Sequence, residues 1–422
     1  MSTVSEPTSA LMAADLEVAR LVGLEVERQR DSLEMIPSEN YASSGVIEAV
    51  GSVLTNKYAE GYPGARYYHG NEIVDQIETT AIERAKALFG VDHANVQPHS
   101  GAQANLAVYL GIIKPGDTVL GMKLDAGGHL THGHNVNASG KLYNFVSYGV
   151  ERESELIDYD EMLTLAKEHR PKVIVVGATA YPRQIDFQRA REIADEVDAI
   201  LMADVAHIAG LIAGGAHPSP AGLAHVITTS THKTLRGPRG GMILCDSKYR
   251  RRIDRGVFPG HQGGPMMHVI AGKAVMLKEA ATSEFRAYAE QTVANAQAIA
   301  EVLADAGLRV ISGGTDTHLI LLDVTPLDLD GQRAADALER AGIVVNKNEI
   351  PFDDLPPMIG SGIRFGTPAI TSRGLGTAEG RRVGELYAEV LHAPDDEAVA
   401  ERVKAEVKTL CDAFPAPGIP AA

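Results

Sequence analysis

The chain has 422 residues, 45% of them apolar and 22% charged, a globular composition in a length that exceeds one simple core, so two domains and an arm are expected. Its net charge of −16 argues against nucleic acid as a partner, because nucleic-acid binders display a basic face; small anionic ligands need only a local pocket. Cys245 and Cys411 are too few for a disulfide framework or a thiolate metal site, and no apolar run reaches membrane-spanning length.

In chain order, the polar first ten residues lack the basic-then-apolar pattern of a signal peptide, and a cytoplasmic location is expected. Residues 11–35 carry a helical apolar rhythm suited to an N-terminal arm. Residues 36–72, rich in Gly, Pro, Tyr and Asn, show little periodicity, and irregular segments of that length are usually functional. Helices are predicted at 75–89, stopped by Gly90, and at 102–113, before Pro115. Strands at 118–121, 172–177, 200–204, 226–229 and 242–245, with a helix at 189–197, indicate an α/β fold with a mostly parallel sheet covered on both faces. A helical stretch covers 266–305. Short strands (308–312, 318–324, 343–345) and helices (331–341, 376–392, 396–411) then read as a smaller α+β domain. The expected division is an arm and active-site segment over 1–72, a large cofactor-binding domain over 73–285 and a small domain over 286–422.

Lys233 follows the apolar run Ala224–Ile227 and a stretch of hydroxyls, so a strand delivers it at its carboxyl end, where open α/β sheets place ligands. With no acidic neighbour in sequence, it is suited to lose its proton and attack a carbonyl as an amine. Asp204 closes a buried strand 29 residues earlier, and a carboxylate there needs a cationic partner, for which a protonated pyridine nitrogen is suited. His99-Ser100-Gly101-Ala102 opens a helix whose free amides and dipole can hold a phosphate, although ordinary capping also explains Ser100. His129, His132 and His134 fit no standard zinc spacing; no metal is expected, and His129 is read as stacking on a flat heterocycle. The run Asn56–Tyr68 offers Glu60 and Tyr68 as acid/base candidates. Arg364, between apolar flanks, is suited to grip a substrate carboxylate.

These segments, in order from about Ser32 to Arg373, closely resemble the serine hydroxymethyltransferase family, fold-type I enzymes that use pyridoxal phosphate. The resemblance implies a mostly parallel central sheet covered by helices, a smaller C-terminal α+β domain and an N-terminal arm. It implies that Lys233 forms the Schiff base, Asp204 pairs with the ring nitrogen, His129 stacks on the ring, and Thr179 and His207 lie near the ring hydroxyl. Gly101, Ala102 and His232 would serve the phosphate, with Tyr58, Gly263 and Gly264 supplied by a second subunit, hence a homodimer with shared sites. Arg364, Ser38 and His207 would hold the amino-acid carboxylate. Glu60 and Tyr68 would transfer protons, with His232 and Ser230 beside the catalytic lysine. Glu60, Tyr67, Leu124, Gly128, His129, Leu130, Asn348, Pro356, Pro357 and Met358 would face the folate. The implied reaction moves the hydroxymethyl group of L-serine to tetrahydrofolate, giving glycine and 5,10-methylenetetrahydrofolate.

The sequence departs from the family's usual pattern at Thr179, Ser230, His69, Ala102 and the loop 349–358, which borders the folate residues. Three alternatives stay open at this point: an α-methylserine hydroxymethyltransferase, a folate-independent threonine-type aldolase, and a catalytically silent relative that acts by binding.

Overall fold

The computed structural model describes residues 10–420; residues 1–9, which carry most of the polar start judged against a signal peptide, and 421–422 lie outside the described residues. Seven strands form the central sheet: β1 (His93–Asn95), β2 (Thr118–Met122), β3 (Asn144–Tyr148), β4 (Val173–Val176), β5 (Ile200–Asp204), β6 (Val226–Ser230) and β7 (Gly241–Cys245). Their order is β1-β7-β6-β5-β4-β2-β3. Neighbours from β3 through β6 pair in parallel, while β7 runs antiparallel to both β6 and β1.

The apolar side chains of the inner strands alternate between two separate clusters. Ile174, Val176, Leu201, Ala203 and Ile227 join one, whereas Val173, Val175, Met202 and Val226 join the other. Successive side chains point to opposite faces of a strand, so a cluster on each side means both faces are covered, as the near-continuous apolar runs predicted. The fold is therefore α/β with a mostly parallel central sheet.

A second sheet is antiparallel, in the order β8 (Arg309–Val310), β9 (Leu319–Asp323), β11 (Gly362–Gly366), β10 (Asn346–Asn348). It builds its own apolar cluster, to which Leu33 and Met35 also belong. Leu33–Glu34 reaches it by pairing in parallel with Ile343–Val344.

The helices that matter for the site are α1 (Leu16–Asp31), α2 (Ser44–Val50), α3 (Glu72–Phe89), α4 (Gly101–Ile112), α5 (Met267–Glu279) and α6 (Ser283–Asp305). Gly90 stops α3 as expected, in the left-handed conformation at φ 66°. Two expectations need correction. The segment 36–72 is less irregular than its composition suggests, because Ser43 caps α2 by accepting from Val46 N. The stretch 266–305 is two helices, since the Thr282 side chain accepts from Phe285 N and starts α6 anew. Strand β3, the helix Tyr159–His169 and strands β1, β10 and β11 were not expected. The sequence Gly-Ile-Arg-Phe-Gly of β11 holds two glycines and a cation, which intrinsic strand preference disfavours. Among the described residues no helix is long and apolar enough to cross a membrane.

Candidate active site

A cavity of about 410 Å³ opens beyond the carboxyl ends of β5 and β6, and its walls include Asp204, Ser230 and Lys233. Into the same cavity come Gly101 and Ala102 at the start of α4, His129 and Thr179 from loops, and Arg364 from the smaller sheet. Ser38, His207 and His232 complete the set of expected residues that line it.

Asp204 is buried at the end of β5, and three groups serve its carboxylate. Oδ2 accepts from Asn105 Nδ2 at 2.8 Å and lies 3.1 Å from His132 Nε2; Oδ1 accepts from Ala206 N at 3.0 Å. Burial pushes its pKa up, but the bond and charge of His132, with His129 and Asn105, outweigh burial and hold it well below the usual carboxylate range. Asn105 is itself fixed, since its Oδ1 accepts from Thr228 Oγ1 at 2.6 Å and its Nδ2 also reaches Thr131 Oγ1 at 2.8 Å. Asp204 is thus an oriented anion that a ring cation could meet.

Lys233 sits three residues past β6 in a loop that returns to β7. Burial lowers its pKa to about 8; Asp204 pulls it up, while Arg364 and Arg239 push it down. Among the described residues no carboxylate lies within ion-pair distance of its Nζ. The neutral amine is therefore accessible near neutral pH, which is what a nucleophilic lysine requires. Beside it, Ser230 Oγ donates to Ala206 O at 3.1 Å. His232 is pushed down to about 3 by burial, then by Arg239 and Lys233, and its buried Nδ1 has no partner.

His129 is likewise held neutral: burial lowers its pKa to about 4, and its Nδ1 lies 2.7 Å from Thr131 Oγ1. The neighbouring Gly128 is required by space, because a Cβ there would fall 2.2 Å from Met122 O. Arg364 donates through Nε to Asn346 Oδ1 at 3.1 Å and through Nη1 to Thr179 O at 2.7 Å. Its pKa is lowered to about 10 by burial, and among the described residues no carboxylate pairs with it. A buried guanidinium held only by neutral acceptors favours an incoming carboxylate. At the start of α4, Ser100 Oγ accepts from Gln103 N at 3.2 Å and caps the helix, and Gly101 and Ala102 line the cavity there.

His207 meets a residue that the sequence did not single out. Its Nδ1 lies 3.4 Å from His318 Nε2, and the ring centroids are 5.6 Å apart at 20° between planes. The nitrogens are 2.2 Å closer than the centroids, so the rings approach through these nitrogen edges, within reach of an N–H···N hydrogen bond. Burial drives both pKa values down, with Lys233 and Arg364 adding to it, and His207 Nε2 and His318 Nδ1 are buried without partners. Asn105, Thr131, His132, Thr228 and His318 were all missed. Asn105 is marked only by its polarity within the apolar α4, and Thr131 and His132 only by lying beside His129 in the histidine-rich loop.

Other expected residues lie outside this cavity. Tyr58, Glu60, Tyr67, Tyr68, Gly263 and Gly264 gather at the surface instead. Tyr58 Oη donates to Glu60 Oε1 at 3.0 Å, and its ring meets that of Tyr68 edge-on at 5.1 Å. A Cβ on Gly263 or Gly264 would come within 3.1 Å of Glu60 or 3.2 Å of the Tyr58 ring. Tyr58, Tyr67 and Tyr68 are 54%, 74% and 48% exposed. Of the folate set, Leu124 and Pro357 line a neighbouring cavity of about 380 Å³ that shares His129. Leu130 and Met358 are exposed, and Asn348 ends β10 with its Nδ2 donating to Glu349 O at 2.6 Å.

A family model described as "Serine hydroxymethyltransferase" matches residues 11–387. A curated protein of Myxococcus xanthus (strain DK1622) with the name "Serine hydroxymethyltransferase" is 57% identical over 410 residues, covering 97% of this chain and 98% of its own length. With Lys233, Asp204 and Arg364 gathered in one cavity and these likenesses running almost end to end, the chain belongs to the serine hydroxymethyltransferase family.

Proposed function

We propose that this pocket interconverts L-serine and glycine with pyridoxal phosphate as cofactor: L-serine and tetrahydrofolate give glycine, 5,10-methylenetetrahydrofolate and water. The observation that carries the reading is the joining, in one cavity, of an oriented anionic Asp204, a desolvated Lys233 amine and an Arg364 without a carboxylate partner. The cavity fits the cofactor on its own chemistry. Asp204 suits a pyridinium nitrogen, the capped start of α4 suits a phosphate, and the unpartnered nitrogens of His207 and His232 suit polar ligand atoms.

Pyridoxal phosphate, when bound, supplies an aldehyde for amine exchange and a protonated ring that withdraws electrons from the substrate Cα. The chain's own residues do the rest. Lys233 holds its amine at a pKa of about 8, ready to act as nucleophile and to receive a proton. Asp204 stays anionic and so keeps a ring nitrogen protonated. Neutral His129 offers a flat face without a competing charge. Arg364 and Ser38 would grip the amino-acid carboxylate and so set which Cα bond is presented for cleavage.

Proton transfer at the hydroxymethyl group is assigned to Glu60 and Tyr68, and part of the phosphate contact to Tyr58, Gly263 and Gly264, all from a second copy of the chain. Their joint clustering away from the pocket of their own chain supports a homodimer with shared sites. Tetrahydrofolate is assigned to the space between His129, Leu124 and Pro357, bounded by Tyr67, Gly128, Leu130, Asn348, Pro356 and Met358. A cytoplasmic location belongs to the same reading. The three-part division of the chain is supported by two separate apolar clusters, bridged by α6, whose Phe285 packs in one and Leu303 in the other.

Assay of the purified protein on L-serine, with and without tetrahydrofolate, tests the function. Glycine should form rapidly only with folate present. Equal turnover without it would indicate an aldolase.

A further inference from the structure

Lys273 on α5 is 1% exposed, and no step above uses it. Its Nζ lies 2.7 Å from Val96 O, 2.9 Å from Pro98 O and 2.8 Å from Gly241 O. Among the described residues no carboxylate pairs with it. Glu78, the acid that acts on it electrostatically, is committed to Arg66 at 2.6 Å and Gln97 at 2.7 Å. Burial lowers the lysine to about 7 against the pull of Glu78, yet three carbonyl oxygens around one nitrogen call for three N–H donors, which only the ammonium has. A charge held wholly by backbone dipoles resembles a monovalent cation in a carbonyl ring.

The three carbonyls are not scattered. Val96 and Pro98 belong to the turn between β1 and α4, the helix whose start faces the cavity; Gly241 ends the loop that carries His232 and Lys233. Because trans peptides point C=O and N–H oppositely, turning the carbonyls of 96 and 98 inward sends the N–H groups of Gln97 and His99 outward. Those are accepted by Asn95 Oδ1 at 3.1 Å and Gln262 Oε1 at 3.0 Å. Gly241 N in turn donates to Pro98 O at 3.0 Å. Gly240 is glycine for the same reason: a Cβ there would fall 2.6 Å from Lys273 Cε.

We propose that Lys273 is a positioning residue for the cofactor, an internal ammonium that locks the phosphate-side turn to the Lys233 loop so that both ends of one ligand are held in register, a role that rests on the pyridoxal-phosphate reading above. It touches no reacting atom. Its removal leaves the walls of the cavity intact but frees the two halves to shift.

The test titrates apo-protein with pyridoxal phosphate, following visible absorbance, and records the thermal midpoint of the apo form alongside. Lys273→Met, which keeps the apolar stem, should raise the cofactor dissociation constant about 10- to 100-fold, the range seen when outer supporting groups of a bound metal are lost. Lys273→Ala should lose as much. It should regain most of the affinity in propylammonium chloride, which matches the deleted stem and charge, but not in tetramethylammonium chloride, which has no N–H. Gly240→Ala, which crowds the lysine without removing it, should weaken cofactor binding in the same direction and so covers the case in which the lysine variants fail to fold. Unchanged affinity in Lys273→Met, or a loss that propylammonium does not repair and that merely tracks a fall in apo stability, would overturn the proposal. Failure of the parent protein to bind pyridoxal phosphate in the same titration would instead remove the functional reading.

Discussion

Two regions of this chain hold the candidate catalytic residues, and they are built in opposite ways. The Lys233 pocket is buried and rigidly braced: Asp204 is held through Asn105, His132 and a backbone amide, and Arg364 by Asn346 and Thr179. The Tyr58–Tyr68 run carries the acid/base candidates, yet it lies at the surface with three tyrosine rings about half or more exposed. Rigid framing suits groups that bind and orient a cofactor, because orientation is lost with small displacements. Large exposed tyrosines around a carboxylate make sense where another surface will cover them. On the proposed reading, the contrast means that one chain holds a binding half in one place and a proton-transfer half in another, so that a second copy is needed to complete each site.

The contrast can be broken by substitutions in each half. Asp204→Asn should cost on the order of 10²–10⁴ in kcat, by analogy with other electrostatic catalytic groups, and should weaken pyridoxal-phosphate binding. Glu60→Gln should cost on the order of 10²–10⁴ in kcat as well, the scale of a lost general acid or base, while the absorbance titration with cofactor stays as in the parent. If Glu60→Gln weakens cofactor binding as much as Asp204→Asn does, the division between the halves is wrong.

Smaller effects sharpen the picture. Arg364→Ala should lose about 1.5–3 kcal/mol of carboxylate binding, roughly ten- to a hundredfold in kcat/KM for L-serine. Amines lacking a carboxylate should be unaffected by it. The pH dependence follows from Lys233. Its pKa is depressed to about 8 by burial, so the rate at which apo-protein condenses with the cofactor should rise with pH up to about 8 and then level off. A rate that keeps climbing toward about 10.4, the ordinary lysine value, would mean that the amine is not desolvated. The smallest effect is expected at Ser230, whose Cβ lies 3.6 Å from where a Cβ on Gly101 would stand. Ser230→Thr adds one methyl and should shift the ratio of kcat/KM for α-methylserine over L-serine by no more than about 1–3 kcal/mol.

Much of this was legible in the sequence because local physics decides it. Apolar strands and Gly90 as a helix stop predicted the sheet; position at a strand end put Asp204 and Lys233 forward, a glycine-rich loop His129, and apolar flanks Arg364. What escaped was decided by partners distant in sequence. Asn105 reaches Asp204 across 99 positions, and His207 reaches His318 across 111. Lys273 serves carbonyls 175 and 177 positions away. His132 lay within a motif already singled out, but nothing local distinguishes the histidine that holds Asp204 from the one that faces the cavity. Strand β11 was hidden by its glycines and its arginine.

The most direct test of the divided site is subunit complementation. Lys233→Ala damages only the binding half and Glu60→Gln only the proton-transfer half, so each variant alone should be nearly inactive. Unfolded together in equal amounts and refolded with pyridoxal phosphate, half of the dimers should be hybrids. Each hybrid has one site that draws intact Lys233 from one chain and intact Glu60 from the other, so the mixture should recover about one quarter of the parental activity. Activity that stays at the level of the separate variants, with hybrids demonstrably present, would show that each chain supplies both groups to its own pocket and would contradict the account.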